Sequence, residues 1–436
     1  MKLNDEQKKV VFSTERFLFL LAGAGSGKTR VIVERIKHLI SNGVLPHRIL
    51  AITFTRKAAQ EMKHRIQDER VHIHTFHQFC FMKLKDEFKM SFTMAEEEKL
   101  PFRRDDLLQI SRYKNSLYQT PKPLMYHRYQ IYLKQHKLKD FDDLIIDMIE
   151  KMDSSETEKY LYVFIDEFQD TNRLQYELLK RLIGQETSVL AVGDPDQSIY
   201  GFRGASPKII SLYVKTFHAK VYTLVINYRS TPQIISHANR IIKRNERSYQ
   251  KDLVSSNPSN YQAYTMHHHD EQSEAKIIIS LIKYLRRRNI SDHQIAILYR
   301  NHHRAHTLIM MLHEHFIEFQ TDDESTQQQG INLMTIHQAK GLEFEVVITI
   351  GLEQGILPSF RLNKQTELSE ERRLMFVAIT RAKRYLYLSY VTLNSTSHRF
   401  PSSQFITESG VKPIPKQVLN DIISLGDFDD NQRTDG

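Results

Sequence analysis

The sequence predicts an α/β protein of two domains, each a mostly parallel sheet flanked by helices, the first domain carrying a small helical insert. Three observations point there. Phe17–Leu21 is an apolar run that enters a glycine-rich turn, Ala22-Gly23-Ala24-Gly25-Ser26-Gly27-Lys28-Thr29, and then an amphipathic stretch, Val31–Ile40. Short apolar runs followed by polar turns recur at Ile49–Thr53, Val71–His77, Tyr162–Ile165, Val189–Val192, Ile295–Tyr299 and Ile331–Thr335. Unbroken apolarity of that length, which all of these runs but the His-interrupted Val71–His77 approach, marks strands covered on both faces, as parallel sheets are. The chain, at 436 residues, has room for two ordinary cores.

In chain order, Leu3-Asn4-Asp5-Glu6-Gln7 reads as a helix cap with a charged first turn. The glycine-rich turn offers backbone N–H groups in one concavity, a helix start behind them, the ammonium of Lys28 and the hydroxyl of Thr29, which are the groups a triphosphate and its Mg²⁺ need. Ala22 stands where such turns usually begin with glycine, and its side chain is small enough for the turn. Thr53-Phe54-Thr55-Arg56-Lys57-Ala58-Ala59 then ends a strand and opens a helix to about Ile66, presenting hydroxyls, a basic pair and an aromatic ring suited to a phosphate backbone. The next strand repeats the design and places His74, Thr75 and His77 at a similar edge.

From about Phe79 to Asp140 the rhythm breaks into a helical insert in which Lys and Arg interleave with Tyr113, Tyr118, Tyr126, Tyr129 and Tyr132. A small tyrosine core and a stacking surface for single-stranded nucleic acid both fit that pattern. Asp140-Phe141-Asp142-Asp143 precedes an apolar helix, and capping of its dipole explains the acids. Tyr162–Ile165 ends in Asp166-Glu167-Phe168-Gln169-Asp170, an acidic pair suited to nucleotide hydrolysis, one acid holding a metal through water and the other orienting and deprotonating the attacking water. After Val189–Val192 come Gln197, placed for a nucleotide, Tyr200 and Phe202 as stacking faces, and Arg203 as a phosphate or ring partner.

Leu224–Ser230 puts Tyr228 and Arg229 at the start of the second domain, where an arginine can complete phosphoryl transfer on a nucleotide held by the first. Helices are expected at about Pro232–Lys243 and Gln272–Arg288. His267–His269 and His302–His303 lack the helical spacing of a metal site and are expected in solvated loops. Thr335–Phe344 follows a strand and leads into another, and the helix Glu370–Ile379 ends in Thr380-Arg381-Ala382-Lys383, making Arg381 a second candidate arginine. The domains are set at 1–218, with the insert at about 79–140, and 219–426; the acidic tail 427–436 is expected to be disordered.

Composition narrows the class. The net charge of +9 favours a polyanionic partner, although 61 basic against 52 acidic residues is a modest excess for this length. One cysteine, Cys80, excludes a disulfide or a cysteine zinc cluster within one chain and suits a reducing compartment. The opening MKLNDEQKK is too polar for a signal peptide and no apolar run approaches a membrane span, so a cytoplasmic protein without membrane contact is expected.

Taken together, AGAGSGKT, TFTRKAAQEMKHR, HTFHQF, IDEFQDTN, VGDPDQSIYGFRGA, NYRS, MTIHQAKGLEF and RRLMFVAITRAK, in that order from Asn4 to about Leu388, resemble the motif set of the UvrD/Rep/PcrA-like helicases of superfamily 1. The resemblance implies two RecA-like P-loop motor domains with ATP between them and single-stranded DNA crossing their tops. It implies that Gln7 reads adenine and Tyr228 stacks on it, and that Ala22, Gly23, Ala24, Gly25, Ser26, Gly27, Lys28, Thr29 and Arg30 hold the phosphates. Thr29 and Asp166 would hold Mg²⁺, Glu167 would activate water, Gln197 would sense the γ-phosphate, Arg229 and Arg381 would act as arginine fingers, and Glu343 would contact the nucleotide. For DNA it implies Phe54, Thr55, Arg56, Thr75, His77, Tyr200, Phe202, Arg203 and His337.

Two departures bear on function. The family commonly has tryptophan where this chain has Phe202, and the sequence contains no Trp, so that stacking face is smaller. The interval from Arg229 to Thr335 has room only for the second motor domain's own elements, so the large second accessory domain of longer relatives is expected to be absent and the first reduced to the insert. The leading expectation is a DNA-dependent ATPase that translocates on single-stranded DNA, 3′ to 5′ as the family does, and unwinds duplex at junctions alone or with a partner in repair, replication or recombination. A partner-dependent ATPase or nucleic-acid sensor within a repair or anti-phage nuclease complex, and a P-loop ATPase acting on protein or RNA, stay open from sequence.

Overall fold

The computed structural model describes residues 2–152, 159–258, 261, 263–321, 330–359, 365–393 and 399–431. The chain forms two compact units: one takes the residues up to Gly23 and Gly27–Leu224, the other Ala24–Ser26 and the chain from Val225.

The first unit opens with α1 (Asp5–Val11), whose cap is reciprocal: Gln7 N–H donates to Asn4 Oδ1 at 2.7 Å and Asn4 N–H to Gln7 Oε1 at 3.1 Å. There follow β1 (Phe17–Ala22), α2 (Lys28–Ser41), β2 (Ile49–Thr53), α3 (Arg56–Ile66), β3 (His72–Thr75) and α4 (Phe76–Met82). The insert supplies β4 (Thr93–Met94), α5 (Arg104–Asn115), α6 (Tyr126–Gln135) and β5 (Leu138–Lys139), and α7 (Phe141–Lys151) leads back to the sheet. The unit closes with β6 (Tyr162–Ile165), α8 (Arg173–Leu182), β7 (Ser188–Gly193), α9 (Lys208–Phe217) and β8 (Lys220–Leu224).

Six strands pair in parallel in the order β3-β2-β6-β7-β1-β8. Leu18, Leu20, Val31, Ile36, Phe164 and Val192 lie in the core between this sheet and its helices. The unit continues past the expected boundary at 218 because β8 pairs with β1, from Leu18 against Lys220 to Ala22 against Leu224.

The insert is not wholly helical, since Thr93 pairs with Leu138 in a two-stranded parallel sheet. Its tyrosines mainly build a small core: Tyr129 is buried with Ile110 and Leu133, Tyr126 and Tyr132 pack against them, and the Phe102 and Tyr129 rings meet at 5.2 Å. Beneath α5, Lys114 is fully buried and donates to Asp140 Oδ2 and Asp143 Oδ1, both at 2.6 Å. Tyr129 OH also donates to Asp140 Oδ2, at 2.9 Å. Asp142 accepts from Ser111 Oγ at 2.7 Å and Asn115 Nδ2 at 3.0 Å, and Asn172, the cap of α8, donates to Asn115 Oδ1 at 2.7 Å. The acidic cap of α7 is therefore also the charge partner of the insert. Cys80 on α4 is fully buried, which pushes its thiol pKa well above the ordinary value.

The second unit comprises β9 (Ile226–Asn227), α10 (Pro232–Ile242), β10 (Val254–Ser255), β11 (Ala263–His268), α11 (Glu271–Arg287), β12 (Ile295–Tyr299), α12 (His306–Glu314), β13 (Phe319–Gln320), β14 (Ile331–Thr335) and β15 (Phe344–Thr349). It ends with α13 (Gln365–Ile379), β16 (Ala382–Val391), α14 (Gln404–Ser409), β17 (Lys412–Pro413) and α15 (Lys416–Asn431). Its large sheet is parallel in the order β13-β14-β12-β15-β16-β11-β17. A buried Arg304 ties elements together, reaching Glu274 Oε2 at 2.7 Å and Glu353 Oε2 at 3.0 Å.

Two expectations change here. His267 and His268 belong to β11, with His268 buried, so that part of the first group is strand and not loop, as the stacked His267 and Tyr390 rings show; His269 follows the strand exposed, and His302 and His303 are exposed in a 3-10 turn. Residues 427–431 continue α15, which packs on α11 through Ile422, so the tail is helical to Asn431, and 432–436 lie outside the described residues. Among the described residues no helix is long and apolar enough to cross a membrane.

Candidate functional site

In the first unit the predicted residues gather where the parallel strands end at their carboxyl edge. β1 delivers Ala22 and Gly23, and Gly23 N–H bonds to Leu224 O at 3.2 Å. Gly27 caps α2 at φ 84°, a left-handed conformation, and a Cβ there would stand 3.0 Å from Gln7 Nε2. Lys28, Thr29 and Arg30 are the first residues of α2 and are half-buried. Ala24–Ser26 group with the second unit, where Asn227 Nδ2 donates to Ala24 O at 2.7 Å and Tyr228 N–H to Gly25 O at 2.9 Å.

Asp166 and Glu167 leave β6. Asp166 N–H bonds to Ile52 O, and its Oδ1 accepts from Glu167 N–H, both at 2.9 Å. Glu167 has φ 52° and ψ 42°, a left-handed backbone that a side chain adopts only at a cost and that turns its carboxylate back toward the loop. Lys28 Nζ meets Glu167 Oε1 at 2.8 Å. Burial pulls the Lys28 pKa down, but Glu167, Asp166 and Asp194 together outweigh it and hold the ammonium above the ordinary lysine value. Gln197 is buried and donates from Nε2 to Asp194 Oδ2 at 2.7 Å.

These groups fit a Mg²⁺–triphosphate. α2 has no side-chain cap on its first turn, Lys28 already sits against carboxylates, and one hydroxyl with one nearly buried carboxylate is what Mg²⁺ takes from a protein when phosphates and waters complete its shell. Thr29 and Asp166 are the residues that would hold it.

The aromatic candidates form a row on the same unit. The Phe54 and Tyr200 rings lie 4.7 Å apart, Tyr200 and Phe202 5.9 Å apart, and the Arg203 guanidinium stands over both, 5.7 and 5.6 Å from their centroids. Phe202 is 40% exposed. Thr55 and Thr75 cap α3 and α4, accepting from Ala58 N–H at 3.1 Å and Gln78 N–H at 3.2 Å, which leaves each hydroxyl proton to donate. Arg56 is exposed on the first turn of α3. His77 packs against Phe141 at 5.2 Å; burial first, and Arg203 second, push its pKa down to about 4, so it is neutral at pH 7. Arg112 of the insert donates to Phe202 O at 3.2 Å.

In the second unit Asn227 shapes the turn, its Oδ1 accepting from Arg229 N–H at 3.0 Å and Ser230 N–H at 2.7 Å, with Tyr228 half-exposed between. Arg229 Nε meets Glu343 Oε2 at 2.6 Å and its Nη1 donates to Thr380 O at 3.1 Å. Burial raises the Glu343 pKa, but Arg229 and Lys383 outweigh it and hold the carboxylate below its ordinary value. Arg381 is turned inward and nearly fully buried: its Nε donates to Val377 O, a carbonyl near the end of α13 without a helical N–H partner, and its Nη1 to Leu342 O in the turn before β15, both at 3.1 Å. His337 stands apart from this cluster, half-exposed in the turn after β14 at the opposite edge of the sheet, next to Tyr299, whose carbonyl accepts Ile336 N–H at 2.9 Å.

Gln169, Asp194, Asn227 and Asn115 are not among the expected site residues. The first three sit inside the quoted motifs and Asn115 in the insert, and each has at least one partner distant in sequence: Gln169 with Asp194, Asn227 with Ala24, and Asn115 with Asn172.

A lysine in a glycine-rich loop after one strand, already paired with a carboxylate that follows another parallel strand of the same sheet, is the arrangement of the P-loop nucleoside triphosphatases, and this chain is one of them. A family model described as an AAA domain matches residues 7–203, and one described as a UvrD-like helicase C-terminal domain matches residues 222–325 and 317–392. The chain is 32% identical over 470 residues to a protein of Mycoplasma pneumoniae titled "Probable DNA helicase", covering 93% of this chain and 86% of that one. The YjcD protein of Bacillus subtilis is 31% identical over 373 residues, 73% of this chain and 49% of that protein. The ATP-dependent DNA helicase PcrA of Staphylococcus aureus is 26% identical, covering 96% of this chain and 87% of PcrA. The chain belongs to the UvrD/PcrA-like superfamily 1 DNA helicases, a family of ATP-hydrolysing enzymes. It is a short member: its alignment with PcrA runs over 635 positions against a chain of 436 residues.

Proposed function

We propose that this chain couples ATP hydrolysis to movement along single-stranded DNA, 3′ to 5′, and to opening of duplex at junctions during DNA repair, replication or recombination. The observation that supports this most is that the Lys28–Glu167 pair and the aromatic row Phe54–Tyr200–Phe202 share one edge of one sheet. Chemistry and strand contact can then move together.

In this reading Lys28 and the loop's N–H groups after Gly23, whose own N–H is held by Leu224 O, bind the phosphates, Gln7 reads the base and Tyr228 stacks on it. Mg²⁺, when bound through Thr29 and Asp166, neutralises phosphate oxygens. Glu167 takes the proton of the attacking water once Lys28 has moved to phosphate, Gln197 senses the γ-phosphate, and Glu343 contacts the nucleotide. Arg229 and Arg381 stabilise charge on the transferring phosphoryl group, Arg229 by leaving Glu343 and Arg381 by leaving its carbonyls. Tyr200, Phe202 and Phe54 stack on bases, while Arg56, Arg203, Thr55, Thr75, His77 and His337 contact the strand.

Steady-state ATP hydrolysis with and without single-stranded DNA tests this, beside Lys28→Ala and Glu167→Gln. Strong stimulation by DNA, lost in both variants, with displacement of strands from 3′-tailed but not 5′-tailed duplexes, is expected. Hydrolysis indifferent to DNA, or absent until another protein such as a nuclease is added, would overturn the autonomous motor.

A further inference from the structure

We infer that Gln169 is a positioning residue for hydrolysis, holding the water-activating Glu167 and the Asp194–Gln197 turn in one frame; this rests on the role proposed for Glu167. Gln169 is fully buried in the 3-10 turn Phe168–Asp170. Its Nε2 donates to Glu167 Oε2, and its Oε1 accepts Asp194 N–H at 2.8 Å. Its own carbonyl accepts Ser198 Oγ at 3.1 Å. Asp194 in turn holds Gln197.

The amide is chemically specified. A carboxylate can only accept and a backbone N–H can only donate, so the residue between Glu167 and Asp194 must carry a donor and an acceptor on one short stem. Space is specified too: a Cβ on Gly193 would fall 2.7 Å from Gln169 Oε1 and 3.2 Å from its backbone nitrogen.

The two Glu167 oxygens have different partners. Oε1 faces Lys28, which transfers to phosphate when nucleotide binds; Oε2 faces Gln169, whose amide is anchored at its other end by Asp194 N–H and has only a longer second contact, Asp170 Oδ2 at 3.4 Å. Gln169 therefore keeps the carboxylate aimed after its lysine partner has gone, and it opposes the left-handed backbone's tendency to relax. Because its other end sits on Asp194, a shift of the γ-phosphate sensor and a shift of the base are one movement. Gln169 touches neither phosphate nor water in this account.

The test uses the full chain on single-stranded DNA. Gln169→Ala is expected to lower kcat for ATP about 10- to 100-fold, the usual cost of removing a partner that orients a reacting group. KM and the Kd of a fluorescent non-hydrolysable ATP analogue stay within about 2-fold, because phosphate binding does not use this amide. Gln169→Glu keeps the acceptor for Asp194 N–H and the volume but turns a carboxylate toward Glu167, so kcat stays as low as in the alanine variant. A residue that merely filled space would be rescued by Glu. Either variant within about 3-fold of wild-type kcat, or an analogue Kd that rises in step with the loss, overturns the inference. Should thermal melting show that both variants fail to fold, Gly193→Ala displaces the same amide from the other side and carries the same expectation and the same refutation. Glu167→Gln run in parallel separates the two claims: if it still hydrolyses ATP, the role of Glu167 has failed; if it is dead while Gln169→Ala is normal, only the inference has.

Discussion

Replacing Lys114 by methionine measures how firmly the insert is bolted to the first unit. The ammonium is fully buried and bonds two carboxylates at 2.6 Å each, with the Tyr129 ring 5.3 Å away. Burial pushes Asp140 up, but Lys114 and the hydrogen bonds it shares outweigh that and hold Asp140 below the ordinary carboxylate range. Removing the ammonium leaves those carboxylates facing one another without a cation. Breaking a buried ion pair from one side costs about 3–5 kcal/mol. For a unit of this size each kcal/mol lowers the melting temperature by about 2–4 °C, so a fall of about 6–20 °C is expected. Thermal and urea unfolding of the first unit's transition measure it. Adding Asp140→Asn and Asp143→Asn to Lys114→Met removes the orphaned charges and should recover part of the loss. A single variant that loses under about 1 kcal/mol would refute the argument, because the cluster would then be hydrated.

Two further outcomes follow from the same unit. Burial, and then Asp140, push the Asp142 pKa up to about 7 from 3.8; with the folded value above the unfolded one, the folded state holds an extra proton between these limits and this contribution to stability is lost as pH rises toward 7. Asp142→Asn should therefore gain on the wild type between about pH 4 and 8, read as the difference in urea midpoints, and a constant difference would contradict it. Phe202→Ala should weaken single-stranded DNA binding by about 1–3 kcal/mol, the usual worth of one stacked base, and Phe202→Trp should strengthen it; fluorescence anisotropy at fixed salt decides, and equal affinity across all three removes Phe202 from the strand path.

Local chemistry made much of this readable in advance. The cap at Asn4, the strand-turn-helix around Lys28 and the acids after Tyr162–Ile165 are each encoded within a few residues, and they are found where expected. Pairings set at a distance were not. β8 belongs to the first sheet because of a register with β1, and nothing near Lys220 announces it. Lys114 looked like one of many insert lysines, and Asp140 like a cap, until folding brought them together. Arg381 could be placed at the end of a helix, but not the direction of its guanidinium, which depends on the carbonyls of Leu342 and Val377. The double duty of Gln169 is of the same kind, since its partner Asp194 arrives on another strand.

The buried position of Cys80 has a practical reach. It is the sole sulfhydryl in 436 residues, it has no access to solvent, and its proton is held tightly. Maleimides and nitroxide reagents should leave the native chain unmodified. A cysteine introduced at a fully exposed place such as Leu124, on the insert, becomes the only labelling handle. A dye or spin probe can then be set on either unit one site at a time, with no background to engineer away, so the stroke of this motor can be watched in otherwise wild-type protein.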